Sequence, residues 1–168
     1  IRAPAGTLPG VSGFQIQFAS EAVYTPGDRP DVLVAMNPAA LKANLGALAE
    51  GGIVIVNVDS FKDTDLKKAG YGTSPLEAGS LDRFQVFKVE LTRLTRAALK
   101  DTGLPTRTAD RCKNFFALGV VYYLYHRPME VTVRWIERKF AGKDELMRVI
   151  RGHVLAYGEI VGRYARAK

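Results

Sequence analysis

Two short apolar runs constrain the fold of this chain more than any other feature. They lie at residues 31–37 (DVLVAMN) and 53–58 (IVIVNV), and a stretch with helical periodicity separates them. Uninterrupted apolar runs of this length are typical of strands buried on both faces of a parallel sheet. A strand, a helix and a second strand in this order predict an α/β fold.

The helix between the two runs has recognisable ends. Asn37 stands before Pro38, which is the pattern of an N-cap residue followed by proline at the first helical position. Three leucines then recur on one helical face, at Leu41, Leu45 and Leu48. A Gly-Gly pair at 51–52 ends the pattern, so we expect a helix that begins directly after Asn37.

The rest of the chain continues the alternation of strands and helices. Phe14, Ile16 and Phe18 alternate with glutamines, as in a half-buried strand, and Ser60 with Asp63 resembles a capping box. The sequence predicts further strands over 14–18 and 83–91, and further helices over 62–69, 95–102, 109–125, 130–140 and 144–165. The expected fold is α/β: a doubly wound, largely parallel sheet with helices on both faces and a helical C-terminal third.

Size and cysteine content restrict the class of protein. With 168 residues, of which 47% are hydrophobic, the chain can bury one sizeable core, and we expect residues 1–168 to form a single domain. No apolar run is long enough to span a bilayer, so we expect no membrane partner. The single Cys112 excludes an internal disulfide and cannot alone hold a metal or an iron–sulfur cluster. A reducing, cytoplasmic setting fits best.

Charge is distributed unevenly along the chain. Residues 1–92 carry 8 Lys and Arg against 10 Asp and Glu, whereas residues 93–168 carry 16 against 7. A basic C-terminal half indicates an anionic partner, such as a phosphorylated cofactor. We do not expect nucleic acid, because no nucleic-acid-binding motif accompanies the charge and acids are interspersed among the basic residues.

The opening loop is rich in glycine and proline. Residues 2–13 contain two prolines and three glycines, with Thr7 and Ser12 as the only hydroxyls. Such a loop either holds a ligand or crosses the surface without a role, and its composition alone leaves both interpretations open. It precedes a predicted strand instead of joining a strand to a helix, so it lacks the context of a dinucleotide-binding turn.

Four stretches, APAGTLPGVSGFQIQ, PDVLVAMNPAALKANL, GGIVIVN and KNFFALG, occur in this order along the chain. Together they resemble the gamma domain of the 2-oxoacid:ferredoxin oxidoreductases, with greatest similarity to the alpha subunit of the two-subunit 2-oxoglutarate type. The resemblance covers essentially the whole chain. Family alpha subunits begin with a strand and a Gly-rich turn before this region, so we expect the first strand–helix unit of the domain to be missing here.

The resemblance implies a division of labour within a larger complex. Such enzymes decarboxylate a 2-oxoacid on thiamine diphosphate, pass electrons to an iron–sulfur cluster and release an acyl-CoA. Thiamine diphosphate, Mg²⁺ and the 4Fe–4S cluster are expected on other parts of the complex, with CoA as the co-substrate and ferredoxin as the electron acceptor. The implied partners are the remainder of the alpha subunit and the beta subunit, and the isolated chain is expected to be inactive.

The resemblance also implies a set of residues for CoA. The opening loop would act as a lid that brings backbone N–H groups and hydroxyls to phosphate or pantetheine. The expected CoA-binding residues are Gly6, Thr7, Gly10, Ser12, Asn37 and Asn114. No catalytic residue and no metal ligand is assigned. Pyruvate relatives carry lysines just before the loop glycines, whereas this chain has Arg2 as the only nearby cation.

Several of these residues have simpler interpretations. Asn37 is expected first of all as a helix N-cap, and Asn114 either contacts the ligand or makes a structural hydrogen bond. Cys112 lies between Arg111 and Lys113, which would lower its pKa, although a lone cysteine in an apolar helix is usually a packing residue. A non-catalytic assembly domain and a pyruvate-type enzyme remain the alternative hypotheses for function.

Overall fold

The computed structural model describes residues 10–25, 27–139 and 141–142. They belong to two compact units, one before and one after the Glu90–Leu91 bond. The helices and strands are β1 (Val32–Ala35), α1 (Pro38–Asn44), β2 (Ile53–Asn57), α2 (Asp63–Lys68), β3 (Gln85–Val89), α3 (Leu91–Ala98), α4 (Thr106–Leu124) and α5 (Glu130–Lys139). Single 3₁₀ turns lie at Leu45–Ala47, Val58–Ser60 and Lys100–Thr102.

The first unit is built on a three-stranded parallel sheet in the order β1-β2-β3. The register pairs Val32 with Ile53 and continues to Ala35 opposite Val56. The central strand β2 is the most deeply buried, whereas the residues of β3, an edge strand, are exposed or half-buried. The predicted α/β class is confirmed, because strand, crossover helix and parallel strand follow one another as the apolar runs indicate.

Helix α1 and the 3₁₀ turn after it cover the sheet with the leucines that the sequence predicts, although α1 itself ends at Asn44, before the predicted stop at the Gly51–Gly52 pair. Leu41 and Leu48 are buried, and Leu45 packs against the same cluster. The buried members of the cluster are Ala35, Leu41, Leu48, Val54, Val56, Leu81 and Phe84. The apolar area that this cluster removes from water is the main force that holds α1 on β1 and β2.

The predicted strand over 14–18 is wrong. This segment has no regular secondary structure, and Phe14 and Ile16 are 84% and 61% exposed. Its side-chain amide Gln15 Nε2 donates to Gly27 O over 2.8 Å, instead of the backbone joining a ladder. An alternating pattern becomes a strand only where another strand supplies backbone partners.

The predicted capping box at Ser60 is also wrong, although the helix that follows it is present. Lys62 occupies the N-cap position of α2 without a side-chain hydrogen bond, and Ser60 Oγ instead accepts a hydrogen bond from Asn57 Nδ2. The first turn of α2 therefore has Asp63 and Asp65, whose charges interact favourably with the helix dipole, instead of a side-chain cap.

The second unit begins with α3, which starts four residues before the predicted position. Leu91 and Thr95 are fully buried, and Leu99 is 3% exposed, so the buried side chains recur every four residues. Thr95 Oγ1 donates to Leu91 O over 2.6 Å, which satisfies the buried hydroxyl. The α-helix ends at Ala98, before the predicted stop, and a 3₁₀ turn at Lys100–Thr102 follows it. Gly103 ends that turn with a φ of +69°, which favours glycine.

Helices α4 and α5 confirm the predicted helices over 109–125 and 130–140 as far as the structure describes them. Helix α4 begins three residues before the predicted start, directly after Pro105. Phe116 in α4 and Ile136 in α5 are the largest buried side chains of these two helices. The predicted helix over 144–165 lies outside the described residues.

Candidate functional site

The carboxyl ends of β1 and β2 lie side by side, because the two strands are parallel and in register. Open α/β sheets bind ligands at this edge, where the strands end and loops begin. Asn37 follows β1 after one residue, and Asn57 is the last residue of β2. This edge is the candidate site of the first unit.

Asn37 uses both atoms of its side-chain amide. Its Oδ1 accepts a hydrogen bond from Ala40 N over 2.8 Å, which caps α1 as the sequence predicts. Its Nδ2 donates to Gly10 O over 3.1 Å, and this bond connects the end of β1 to the opening loop. One residue therefore ends the strand, starts the helix and holds the loop beside the sheet edge.

The described part of the opening loop begins at Gly10, which is exposed and has a φ of +83°. A Cβ atom at this position would meet no atom within 4 Å, so the left-handed backbone, and not crowding, requires the glycine. Ser12 is exposed, with its hydroxyl accessible from solvent. Gly6 and Thr7, which the sequence analysis places in the same loop, lie outside the described residues.

Asn57 belongs to this edge and was not singled out by the sequence analysis. Its side chain is fully buried, and its Nδ2 donates to Ser60 Oγ over 2.9 Å and to Met36 O over 3.4 Å. Asn57, like Asn37, is a polar residue at the carboxyl end of a buried apolar run. Its position in the sequence was therefore enough to make it a candidate site residue.

Asn114 lies in the second unit, in the middle of α4. It is exposed, and its amide makes no hydrogen bond to another side chain or to the backbone in the described part of the chain. Within the described part of the chain, Asn114 forms no buried structural hydrogen bond. An exposed amide on a helix surface is free to donate to a ligand and to accept from it.

The helical turn before Asn114 is stabilised by an ion pair between α3 and α4. Arg96 Nε and Nη2 donate to the two carboxylate oxygens of Asp110 over 2.6 and 2.8 Å. These hydrogen bonds, together with the charges of Arg96 and Lys113, lower the pKa of Asp110, although partial burial opposes them. The bidentate geometry fixes α4 against α3 at the turn that leads to Asn114.

Cys112 is buried on the opposite side of α4 from Asn114, among Leu99, Ala109 and Leu104. Burial raises the pKa of its thiol, so the flanking Arg111 and Lys113 do not activate it. Its Sγ lies 3.5 Å from Thr108 O, a weak hydrogen bond within the helix. Burial among these apolar side chains supports the packing interpretation of Cys112.

Other features of the described residues do not add to the site. No three His, Cys, Asp or Glu side chains among them come close enough together to hold a metal ion. In the same part of the chain, no helix combines the length and the apolar character needed to cross a bilayer. A cavity of about 400 Å³ opens between the loop at 75–82 and β3, with Asp82 and Lys88 in its wall, and none of the predicted site residues lines it.

Comparison with known proteins places the chain in a family. Residues 7–151 match the family described as pyruvate ferredoxin/flavodoxin oxidoreductase. The chain is 54% identical over 146 residues to the 2-oxoglutarate oxidoreductase subunit KorA of Mycobacterium tuberculosis (strain ATCC 25618 / H37Rv), an alignment that covers 87% of this chain. The chain spans 22% of the length of that relative.

A solved structure is also similar to the chain. It is the crystal structure of pyruvate oxidoreductase subunit PORC from Thermotoga maritima, which aligns with a TM-score of 0.45 and 21% sequence identity over 79% of this chain and 64% of that one. The resemblance carried by the four ordered stretches is confirmed by the family match and by the Mycobacterium tuberculosis relative. The chain belongs to the pyruvate ferredoxin/flavodoxin oxidoreductase family.

Proposed function

We propose that this chain is the gamma-type domain of a 2-oxoacid:ferredoxin oxidoreductase that converts 2-oxoglutarate to its acyl-CoA. The observation that carries the proposal is the 54% identity to a 2-oxoglutarate oxidoreductase subunit over 87% of the chain. Identity at this level over most of the chain supports a shared ligand as well as a shared fold. The relative's name also favours 2-oxoglutarate over pyruvate as the substrate.

Within that enzyme, the domain would bind CoA and cover the active site. Gly6, Thr7, Gly10, Ser12, Asn37 and Asn114 are the proposed contacts. The hydrogen bond from Asn37 Nδ2 to Gly10 O supports this assignment, because it holds the loop at the sheet edge where α/β proteins bind ligands. The exposed amide of Asn114 supports it from the second unit.

The remaining cofactors would be held elsewhere in the complex. A 4Fe–4S cluster needs four cysteine ligands, and the chain has one cysteine, which is buried. Thiamine diphosphate, with its Mg²⁺, supplies the carbanion chemistry when bound, and its protein surroundings supply orientation. The proposed partners are the rest of the alpha subunit, the beta subunit and ferredoxin, in a cytoplasmic enzyme with no nucleic acid or membrane partner.

In the proposed reaction this chain would orient CoA and exclude water from the CoA site. The amides of Asn37 and Asn114 and the loop hydroxyls are neutral donors, which suit the amide groups of pantetheine. As a lid, the opening loop would exclude water from the bound CoA thiol.

The experiment is reduction of a ferredoxin by the complete enzyme with 2-oxoglutarate or pyruvate, at varied CoA concentration. The proposal expects turnover that depends on CoA and a larger kcat/KM for 2-oxoglutarate than for pyruvate. A larger value for pyruvate would assign the enzyme to the pyruvate type. Activity of this chain alone with thiamine diphosphate and Mg²⁺ would contradict the proposed division of labour.

A second candidate function is an assembly domain that binds no ligand. Exposed apolar side chains in both units favour it, among them Phe14, Tyr24 and Trp135. The two proposals differ in their response to Asn114→Ala. The CoA-binding domain would require more CoA for half-maximal turnover after this substitution, whereas an assembly domain would keep the same CoA dependence.

A further inference from the structure

Asn57 is a buried polar residue with no role in the function proposed above. It ends β2 after four apolar residues, and it is 0% exposed although it is polar. A buried amide costs free energy unless it is hydrogen-bonded. The hydrogen bonds that it does make therefore indicate what the residue stabilises.

The position of Asn57 explains these hydrogen bonds. The β1–β2 ladder ends with Ala35 opposite Val56, so Met36 and Asn57 are the first pair beyond it. At this pair, Asn57 Nδ2 donates to Met36 O over 3.4 Å, so a side chain continues the contact where the backbone ladder has stopped. Ser60 Oγ, in the turn after β2, accepts from the same nitrogen over 2.9 Å.

The contact with Met36 acts directly on Asn37. The Met36 carbonyl and the Asn37 N–H belong to one planar peptide unit, so fixing the carbonyl fixes the direction in which the chain enters Asn37. Asn37 then has the extended backbone of an N-cap residue, with its side chain on Ala40 N and Gly10 O. A series of contacts thus leads from Ser60 and Asn57 through the Met36–Asn37 peptide to the opening loop.

We propose that Asn57 is a positioning residue, which orients Asn37 and, through it, the Gly10 loop toward CoA. The inference rests on the proposed CoA-binding role of Asn37. Asn57 is buried beneath the site and does not touch the ligand. Its effect on CoA therefore requires Asn37, and this dependence makes the proposal testable.

The test is a double-mutant cycle in the complete enzyme with Asn37→Ala, Asn57→Ala and the combined variant. We expect Asn57→Ala to raise the KM for CoA about two- to tenfold, the range that loss of one neutral hydrogen bond allows, with kcat and the KM for 2-oxoglutarate little changed. In the Asn37→Ala background, Asn57→Ala should raise the KM for CoA no further. Asn44→Ala is the matched control, because Asn44 Nδ2 also donates to a backbone carbonyl, Ala40 O, but on the exposed side of α1.

Three outcomes distinguish failure of this inference from failure of the proposed function. If Asn37→Ala leaves the KM for CoA unchanged, Asn37 does not bind CoA and both are overturned at this site. If Asn37→Ala raises the KM for CoA, and Asn57→Ala raises that KM by the same factor with and without Asn37→Ala, Asn57 does not act through Asn37. If Asn57→Ala lowers only the amount of active enzyme at unchanged KM, its role is structural and the inference is wrong.

A second variant keeps the proposal testable where Asn57→Ala does not fold. Ser60→Ala removes the hydroxyl that accepts from Asn57 Nδ2 and leaves the amide itself in place. It should raise the KM for CoA in the wild-type background and not in the Asn37→Ala background. An unchanged KM in the wild-type background would overturn the inference.

Discussion

Asn37 and Gly10 are joined by a side-chain hydrogen bond across 27 residues of chain, with 3.1 Å between Nδ2 and O. The same asparagine caps α1 through its Oδ1. Capping a helix needs only an acceptor, which aspartate, serine or threonine also supplies, whereas holding a carbonyl needs a donor. Asparagine satisfies both requirements at one position, and aspartate satisfies only the first.

This difference predicts that Asn37→Asp and Asn37→Ala separate the two roles. Asn37→Asp keeps the cap and adds a negative charge at a helix N-terminus, so the free energy of unfolding should change by less than about 0.5 kcal/mol. Asn37→Ala loses the cap and should lower it by about 0.5–2 kcal/mol. Urea denaturation measures both values.

Both variants should release the loop, since neither can donate to Gly10 O. Backbone NMR order parameters of residues 10–13 should therefore be lower in both variants than in wild type. Order parameters that stay at the wild-type value in Asn37→Asp would show that other contacts hold the loop and that the Asn37–Gly10 bond is dispensable.

The Arg96–Asp110 pair predicts a pH-dependent contribution to stability. The pKa of Asp110 is lowered in the folded chain, so the folded state binds fewer protons than the unfolded state as the pH falls through the range of a free aspartate, about 4. The stabilisation is present above that pH and is lost below it. Arg96 and Asp110 side chains are 53% and 34% exposed, so solvent screens the pair.

We therefore expect Arg96→Gln to lower the free energy of unfolding by about 0.2–1 kcal/mol at pH 7. The difference from wild type should shrink as the pH falls below about 4. Arg134→Gln, at another exposed arginine of the second unit, is the control and should show no such pH dependence. A difference that stays constant from pH 7 to pH 2 would mean that Arg96 stabilises the chain through its aliphatic stem and not through Asp110.

Burial of Cys112 predicts slow alkylation of the folded chain. The raised pKa leaves little thiolate at pH 8, and the thiolate is the reactive form. Iodoacetamide should label Cys112 much faster in urea than in buffer, as followed by peptide mass spectrometry. Equal rates in the two conditions would indicate that α4 opens readily or that the thiol is exposed.

The sequence predicts the first unit well where local chemistry decides the structure. The apolar runs and the Asn37–Pro38 helix start each act within a few residues, and β1, β2 and the start of α1 form where these patterns indicate. The leucine spacing predicts a longer helix, whereas α1 ends at Asn44 and a 3₁₀ turn follows. The strand over 14–18 fails because pairing is a non-local property: alternation shows that a segment is able to form a strand, but none of the described strands pairs with it.

The missed parts of the site have a similar cause. Asn57 was treated as part of an apolar run, and its partner Met36 lies 21 residues away in the sequence. Only the register of β1 against β2 brings the two together. The early start of α3 was detectable, by contrast, because Leu91, Thr95 and Leu99 are spaced at four residues.

Asn114 offers the sharpest test of the proposed function, because it is exposed on the middle of a helix. Alanine is a better helix former than asparagine, so Asn114→Ala should leave the complete enzyme as stable as wild type, or slightly more stable. Loss of one neutral hydrogen bond to CoA would cost about 0.5–1.5 kcal/mol, which is up to about tenfold in the CoA concentration for half-maximal turnover. Decarboxylation of 2-oxoglutarate in a single turnover without CoA should stay close to wild type, because CoA arrives after that step. A stable Asn114→Ala enzyme with unchanged CoA dependence would remove this residue from the site, and equal loss in both half-reactions would assign it to domain assembly.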